Sequence, residues 1–245
     1  MKKKFMKTAA VILASGSGQR FETTNVAKHL TPVLEVPVII WTLDTIIKSK
    51  LFSSIVIVVR EKDLVSTKKA IENYDLGDLS FIRYAIGADD RTESFIKGFE
   101  DLKRNDLVDQ KSMIALFDAN RPLTPKDQLF SLFEIALKSG CSCPARPVIN
   151  GVAKIDSQYI VEVPDKTKFV EFVTPEFLRI DLFDEKINCF LEGYSCFVEY
   201  ALNEKCKPAT IKATSLNSKL TYPEDKTFLD GLAIDNSIQK PRKLI

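Results

Sequence analysis

Three short segments of the chain combine glycine, hydroxyl and charged residues in patterns suited to binding phosphate. The first, residues 14–20, reads Ala-Ser-Gly-Ser-Gly-Gln-Arg and follows an apolar run. Its glycines allow backbone N–H groups to approach an anion closely, and Arg20 can grip phosphate oxygens with its planar guanidinium. Lys28 adds a positive charge eight residues later. An ordinary glycine-containing turn is the alternative, because the segment matches neither a P-loop nor a dinucleotide fingerprint.

The other two segments lie where predicted strands give way to the next element. Residues 87–94 read Gly-Ala-Asp-Asp-Arg-Thr-Glu-Ser and lead into a predicted helix, where Asp90 or Thr92 could serve only as a cap. A helix N-terminus can also bind an anion. Residues 118–122 read Asp-Ala-Asn-Arg-Pro, and Asp118 could hold Mg²⁺ or could merely open a turn. Together the segments predict chemistry on nucleotide phosphates, with hydrolysis, kinase chemistry and nucleotidyl transfer all open.

Alternating strands and helices must bring these segments together. Apolar and β-branched runs predict strands at residues 8–14, 54–59, 79–84 and 112–117. Apolar residues at helical spacing predict helices at residues 38–48, 64–74, 91–103 and 128–138, the last ending at Gly140. This alternation predicts an α/β fold of Rossmann-like type, with a mostly parallel sheet and helices on both faces. In such sheets ligands bind beyond the carboxyl ends of the strands.

The pattern changes between residues 143 and 174. Three short β-like segments there, at residues 152–155, 159–163 and 169–173, predict a protruding β-hairpin arm. Asn150-Gly151 predicts its tight turn. The chain then closes with a predicted helix at 193–203, a strand at 209–214 and a helix opened by Pro223. We expect a single domain over residues 1–245, from which the arm projects.

Composition excludes several classes of protein. With 245 residues, 45% hydrophobic and 28% charged, the chain is neither disordered nor fibrous. The net charge of +2 gives no general argument for nucleic acid or for an anionic membrane, and no apolar run approaches the ~20 residues of a membrane span. Five cysteines lack the spacing of zinc fingers, and the single histidine, His29, excludes a zinc site with several histidines. We expect a cytoplasmic protein with no nucleic-acid or membrane partner.

Five motifs, in the same order, resemble those of the methylerythritol-phosphate cytidylyltransferase family, which also contains ribitol-phosphate cytidylyltransferases. They span nearly the whole chain and lie at residues 13–43, 87–98, 118–122, 174–177 and 217–225. The resemblance implies a nucleotidyltransferase that uses CTP, an alcohol phosphate and Mg²⁺ to make a CDP-alcohol and pyrophosphate. It also implies a homodimer in which the arm reaches the second subunit.

The resemblance further implies roles for individual residues. Arg20, Lys28 and Lys219 would be catalytic, because they would stabilise negative charge on the phosphates. The nucleotide would lie against nine residues of the first three motifs: Ala14, Ser15, Gly16, Ser17, Gly18, Ala88, Asp89, Ser94 and Ala119. Asp118 would hold the metal. The acceptor would meet three residues: Arg121, Lys166 and Thr174.

The acceptor side of the sequence departs from the family pattern, whereas the CTP side matches it. Asn150-Gly151 stands for Asp-Thr, Lys166 for an arginine, and residues 191–193 for Thr-Asp-Glu. The family's Pro-Lys-Gln is Ala27-Lys28-His29 here. Because a site that binds hydroxyls is specific through those groups, we expect a different polyol phosphate, such as ribitol 5-phosphate for a surface polysaccharide. Methylerythritol phosphate in isoprenoid precursor synthesis and a non-catalytic nucleotide-binding homologue are the alternatives.

Overall fold

The computed structural model describes residues 6–16, 26–182 and 194–244, which form six α-helices and twelve β-strands. The helices are α1 (Val38–Ser49), α2 (Leu64–Glu72), α3 (Arg91–Arg104), α4 (Lys126–Ser139), α5 (Phe197–Asn203) and α6 (Asp225–Asp235). The strands are β1 (Thr8–Leu13), β2 (Pro32–Val33), β3 (Val36–Pro37), β4 (Ser54–Val59), β5 (Ile82–Ile86), β6 (Met113–Asp118), β7 (Cys141–Pro147), β8 (Lys154–Asp156), β9 (Tyr159–Glu162), β10 (Val170–Phe172), β11 (Glu176–Arg179) and β12 (Ala209–Lys212).

Eight of these strands form one central sheet in the order β10-β7-β11-β6-β1-β4-β5, with β12 paired to β7. The pairs β1–β6, β1–β4, β4–β5 and β12–β7 are parallel. Strand β11 runs antiparallel to β6 and β7, and β10 antiparallel to β7. The predicted α/β class with a mostly parallel sheet is confirmed.

Helices cover both faces of the sheet, as the uninterrupted apolar strands require. Alternate residues of β1 show this division, because Ala10 and Ile12 belong to one core and Ala9 and Val11 to the other. Helices α1, α2, α4 and α6 contribute to the first core, and α3 and α5 to the second. Gly98 permits α3 to lie close to the sheet, since a Cβ there would come within 2.8 Å of Val11 and Val58. The two cores hold the strand ends in a fixed arrangement.

The predicted elements agree with the structure except where tertiary contacts set their ends. The strand predicted at 54–59 is β4, residue for residue. Helix α2 stops at Glu72, and Tyr74 instead forms a β-bridge with Lys243 near the carboxyl terminus. The predicted helix at 193–203 begins at Phe197, because the buried carboxylate of Glu176 accepts the N–H groups that open it. A local pattern cannot reveal these distant partners.

The arm differs from its prediction in extent and in the place of its turn. Residues 143–145 are buried in β7 of the central sheet rather than in a projection. The exposed hairpin is formed by β8 and β9, whose turn is Ser157-Gln158. Ser157 adopts a left-handed φ of 54°. The prediction of a tight turn at Asn150-Gly151 is therefore wrong, since those residues lie outside any strand pairing.

No helix among the described residues is both long and apolar enough to cross a membrane.

Candidate active site

The carboxyl ends of β1 and β6 border a cavity of about 390 Å³. The cavity is also lined by the turn at 28–30, the loop before α3 and a residue before α6. It brings together eight of the residues predicted from sequence: Ala14, Ser15, Gly16, Lys28, Asp89, Asp118, Ala119 and Lys219. The remaining three residues of the first motif, Ser17, Gly18 and Arg20, lie outside the described residues, so their roles stay predictions.

Asp118, the last residue of β6, is buried and surrounded by three cationic side chains. Its Oδ2 accepts hydrogen bonds from Lys219 Nζ at 2.9 Å and Arg121 Nε at 3.3 Å. Its Oδ1 lies 3.6 Å from Arg91 Nη2. Burial alone would raise the pKa of Asp118, but the charges of these three cations hold it well below its ordinary value. Asp118 therefore stays ionised and fixes the cations around one point.

The hydroxyl of Ser94 joins the first two motifs instead of facing the cavity as predicted. Ser94 is fully buried. Its Oγ donates to the carbonyl of Ala88 and accepts hydrogen bonds from the N–H of Ala88 and the hydroxyl of Ser15, at 2.8–3.0 Å. A hydroxyl has one proton and two lone pairs, so its hydrogen bonds are complete. Gly87 packs so tightly here that a Cβ would lie 2.5 Å from that of Ser15.

Asp90 confirms the capping interpretation of the second motif and also lines the cavity. Its Oδ1 accepts the N–H groups of Thr92 and Glu93, at 2.7 and 3.0 Å. The hydroxyl of Thr92 donates to the carbonyl of Tyr194 at 2.9 Å. The start of α3 is thereby attached to the segment that leads into α5.

Arg91 lines the cavity, and sequence analysis missed it as a site residue. Its Nη1 donates to the carbonyl of Ser195 at 2.6 Å, and its Nη2 lies between Asp118 and Glu176. A signal was present in the sequence, because a cation at the first position of a helix opposes the helix dipole. A nearby carboxylate can compensate the unfavourable interaction of this cation with the helix dipole, and Asp118 lies 3.6 Å from Arg91 Nη2.

Glu176 is a second residue whose importance the sequence did not reveal. Its Oε2 accepts the N–H groups of Phe197 and Val198 at 2.8 and 3.2 Å, while Oε1 lies 3.8 Å from Arg91 Nη2. Burial raises the pKa of Glu176 to about 7, although Arg91 and the two N–H groups favour the ionised form. The resembled family has an uncharged glutamine at this point of its Thr-Pro-Gln-Phe element.

The three residues predicted to bind the acceptor do not line the cavity of this chain. Arg121 Nε donates to Thr174 Oγ1 at 3.0 Å, and its Nη1 donates to the carbonyl of Asn217 at 2.5 Å. Arg121 pairs directly with Asp118, and Thr174 supports this pair through its hydrogen bond to Arg121. Lys166 lies on the exposed arm, where its Nζ donates to the carbonyl of Ile149 at 2.8 Å. Among the described residues, the predicted acceptor-binding side chains therefore lie outside this cavity, and their role stays a prediction.

A magnesium ion would find one carboxylate at the centre of this network. The described part of the chain contains no cluster of three or more His, Cys, Asp or Glu side chains able to hold a metal. Mg²⁺ commonly uses one or two carboxylates and completes its shell with water and substrate phosphates. Asp118 fits that mode, and the described residues do not by themselves build a closed metal site.

A doubly wound sheet with a glycine-bearing loop after β1, a carboxylate at the end of β6 and converging cations is typical of enzymes that act on nucleotide phosphates. The family model described as 2-C-methyl-D-erythritol 4-phosphate cytidylyltransferase matches residues 8–231, and the chain belongs to this family.

Its similarity to known members is distant and extends over nearly their whole length. The 2-C-methyl-D-erythritol 4-phosphate cytidylyltransferase of Endomicrobium trichonymphae is 28% identical over 226 residues, covering 90% of this chain and 95% of that protein. The enzyme of the same name from Geobacillus thermodenitrificans (strain NG80-2) is 25% identical over 230 residues, covering 93% and 97%. The chain is thus a CTP-dependent cytidylyltransferase, as the motifs predicted.

A solved structure supports the fold independently. The crystal structure of 4-diphosphocytidyl-2C-methyl-D-erythritol synthase from Anaerococcus prevotii DSM 20548 superposes with a TM-score of 0.73. It shares 23% sequence identity and covers 94% of this chain and 96% of its own.

Proposed function

We propose that this chain transfers the cytidylyl group of CTP to 2-C-methyl-D-erythritol 4-phosphate and releases pyrophosphate. The observation that carries this proposal is the buried Asp118, which gathers Lys219, Arg91 and Arg121 beside the cavity. Ion pairing to Asp118 holds these cations in place before a substrate arrives. An incoming triphosphate then meets preorganised positive groups, which is the largest single source of catalysis in many enzymes.

The proposed reaction needs no covalent enzyme intermediate. An oxygen of the acceptor phosphate attacks the α-phosphorus of CTP in line, and the bond from that phosphorus to the β-phosphate oxygen breaks. Pyrophosphate leaves with the bonding electrons. A phosphate monoester is already ionised near pH 7, so no general base is required. Lys28 and Lys219 would stabilise the charge that moves onto the leaving group.

The charge balance of the cavity supports a requirement for Mg²⁺. Three cationic side chains (Lys28, Arg91 and Lys219) and three carboxylates (Asp89, Asp90 and Asp118) line its described part. These charges cancel formally, while a triphosphate adds several negative charges. Asp118 would hold the ion, which when bound would neutralise phosphate charge.

The acceptor is proposed from the relatives rather than from the acceptor-side residues. The relatives with the names given above are methylerythritol-phosphate enzymes, so they favour this acceptor over the ribitol 5-phosphate expected from sequence. Ribitol 5-phosphate is the second candidate, supported by Lys166 in place of an arginine and by Asn150-Gly151 in place of Asp-Thr. Both candidates require the same CTP half-site.

We further propose that a second copy of the chain completes the acceptor site. Nine large apolar side chains of the arm region are 43–78% exposed: Ile149, Ile155, Tyr159, Ile160, Val161, Val163, Phe169, Val170 and Phe172. A two-stranded hairpin such as β8–β9 is marginally stable alone, and a patch of this kind is typical of an interface. The family resemblance implies that a partner subunit covers it.

The test is magnesium-dependent pyrophosphate release from CTP with separate acceptors. We expect release with 2-C-methyl-D-erythritol 4-phosphate and little with ribitol 5-phosphate, glycerol phosphates or sugar phosphates. Release only with ribitol 5-phosphate would establish the second candidate instead. If no acceptor gives pyrophosphate release while CTP still binds, the result would contradict catalysis and favour a nucleotide-binding homologue. Lys219→Ala, purified in the same way, controls for contaminating enzymes.

A further inference from the structure

His29, the chain's sole histidine, lies in the cavity wall immediately after Lys28. It is 4% exposed, and its Nε2 lies 2.7 Å from the hydroxyl oxygen of Thr67 in α2. Thr67 is completely buried. The resembled family has glutamine where this chain has His29.

The second contact of the Thr67 hydroxyl determines whether Thr67 or His29 is the donor in their hydrogen bond. The Thr67 hydroxyl also lies 2.7 Å from the backbone carbonyl of Asp63. A carbonyl can only accept, so the single hydroxyl proton of Thr67 must point to Asp63 if both contacts are hydrogen bonds. The oxygen of Thr67 then accepts from His29. The imidazole therefore carries its proton on Nε2 and none on Nδ1.

The surroundings of His29 keep this ring neutral. Burial, opposed by the charge of Asp63 and reinforced by that of Arg60, lowers the pKa of His29 to about 4. Asp63 is itself paired with Arg60, whose Nε lies 2.7 Å from Asp63 Oδ2. The ring consequently keeps one donor and one acceptor throughout the physiological pH range.

The hydrogen bond fixes a turn that carries Lys28. Residues Lys28–Leu30 form one 3₁₀ turn, in which the buried His29 points into the protein and Lys28 lines the cavity. On its following side the turn is joined to α1, because the N–H of Val38 donates to the carbonyl of Thr31 at 3.0 Å. The contact of His29 with Thr67 joins the same turn to α2.

We propose that His29 is a positioning residue, whose Nε2–H bond to Thr67 anchors the 28–30 turn to α2 and so sets where the Lys28 ammonium lies. This inference rests on the proposed function, since the position of Lys28 matters only if it stabilises phosphate charge. His29 can act directly on Lys28, because the two residues are adjacent in the sequence. Helix α2, which holds Thr67, follows the carboxyl end of β4.

The first test measures which nitrogen of the His29 imidazole carries the proton. With one histidine in the chain, a long-range ¹H–¹⁵N correlation spectrum shows one imidazole and needs no assignment. At pH 7 the wild-type protein and Thr67→Ser should show the Nε2–H tautomer, because both keep the hydroxyl. Thr67→Val should lose that preference. A wild-type ring protonated on Nδ1, or on both nitrogens, would overturn the proposal.

The second test separates positioning from folding. Thr67→Val should lower kcat about 10- to 100-fold while KM for CTP changes by less than about threefold. Thr67→Ser should keep both constants. His29→Gln, whose side-chain amide can donate to the Thr67 hydroxyl, should retain much more kcat than His29→Leu. A folded Thr67→Val with wild-type kcat, or equal losses in His29→Gln and His29→Leu, would overturn the proposal.

The two tests also distinguish this inference from the proposed function. If the wild-type protein releases no pyrophosphate with any acceptor, the proposed function fails. The imidazole spectrum still supports or overturns the hydrogen bond through which His29 acts.

Discussion

At the scale of single residues, the site depends on Asp118 more than on any cation. A buried carboxylate without partners would be costly, but three cations compensate it. The same pairing prevents Lys219, Arg91 and Arg121 from repelling one another before substrate binds. Arg121 is held further by Thr174 and by the carbonyl of Asn217. One carboxylate thus organises charges supplied by three distant parts of the chain.

Lys28→Ala should lower kcat about 100-fold or more, because it removes a charge aimed at the phosphates. Lys28 is only partly buried, so its removal should change the melting temperature little. Steady-state pyrophosphate release and thermal unfolding measure the two effects. Lys69→Ala, an exposed lysine of α2, is the matched control. Near-normal turnover by Lys28→Ala would show that the charge is not used.

Glu176→Gln should change how stability depends on pH. Because burial raises the folded-state pKa of Glu176 from 4.5 to about 7, ionisation destabilises the fold as pH rises through this window. Glutamine can still accept the N–H groups of Phe197 and Val198 but cannot ionise. The free energy of unfolding should therefore match wild type below about pH 4.5, where the carboxyl is protonated in both states, and exceed it by up to about 3 kcal/mol above pH 7.

Denaturant unfolding of both proteins between pH 5 and 8 checks this effect, with the exposed Glu134→Gln as control. The difference between wild type and Glu176→Gln should grow with pH, whereas the difference for Glu134→Gln should stay flat. A constant difference for Glu176→Gln would mean that the buried carboxyl does not titrate in this range.

At the scale of elements, periodicity predicted what local sequence determines. Strand β4 is a run of β-branched residues buried on both faces, and its bounds were predicted to the residue. The three strand-end segments were predicted to meet, and their described parts do line one cavity. Such features follow from alternation along the chain and from the parallel sheet it implies.

Features set by distant contacts could not be predicted in this way. Arg91 and Glu176 are 85 positions apart in the sequence. The pairing of β11 with β6 sets Glu176 opposite Leu116, and Arg91 at the start of α3 lies between Glu176 and Asp118. The hydroxyl of Ser15 donates a hydrogen bond to that of Ser94, a contact that residue spacing does not predict. The hairpin turn was misplaced because Asn150-Gly151 has the right composition, while cross-strand pairing selects Ser157-Gln158.

The arm provides a prediction at this scale. Ile160→Asp should shift the protein from dimer to monomer and reduce turnover, since it places a charge in the apolar surface proposed to meet the partner. Ile160 pairs directly with Ile155 across the hairpin, and both are about two-thirds exposed. Light scattering after gel filtration measures the mass. Gln158→Asp adds the same charge at the turn and should leave the dimer intact; equal effects would argue against this surface.

At the scale of the whole molecule, the segment after α6 pairs with the residues that follow α2. After α6 the chain crosses to the end of α2, where the N–H of Asp75 donates to the carbonyl of Arg242 and the N–H of Leu244 donates to that of Asn73, each at 2.8 Å. The family match ends at residue 231, so this segment lies beyond it. None of its residues lines the cavity.

Deleting residues 239–245 should therefore lower stability without lowering turnover. The loss of the two backbone hydrogen bonds that form the bridge at Tyr74 should cost about 1–2 kcal/mol, or about 2–8 °C in melting temperature. Calorimetry and pyrophosphate release measure the two properties. Lys240→Ala removes only an exposed ion pair with Glu35 and should change neither. A truncated protein that is folded but inactive would show that the segment shapes the site.

The central claim is that this molecule attaches the α-phosphorus of CTP to an alcohol phosphate. The most direct measurement follows CTP labelled at the α-phosphate in one reaction and at the γ-phosphate in another, with 2-C-methyl-D-erythritol 4-phosphate and Mg²⁺. We expect the α-label in a CDP-alcohol and the γ-label in pyrophosphate, in equal amounts. An α-label that ends in CMP, or a γ-label that moves onto the acceptor, would contradict it.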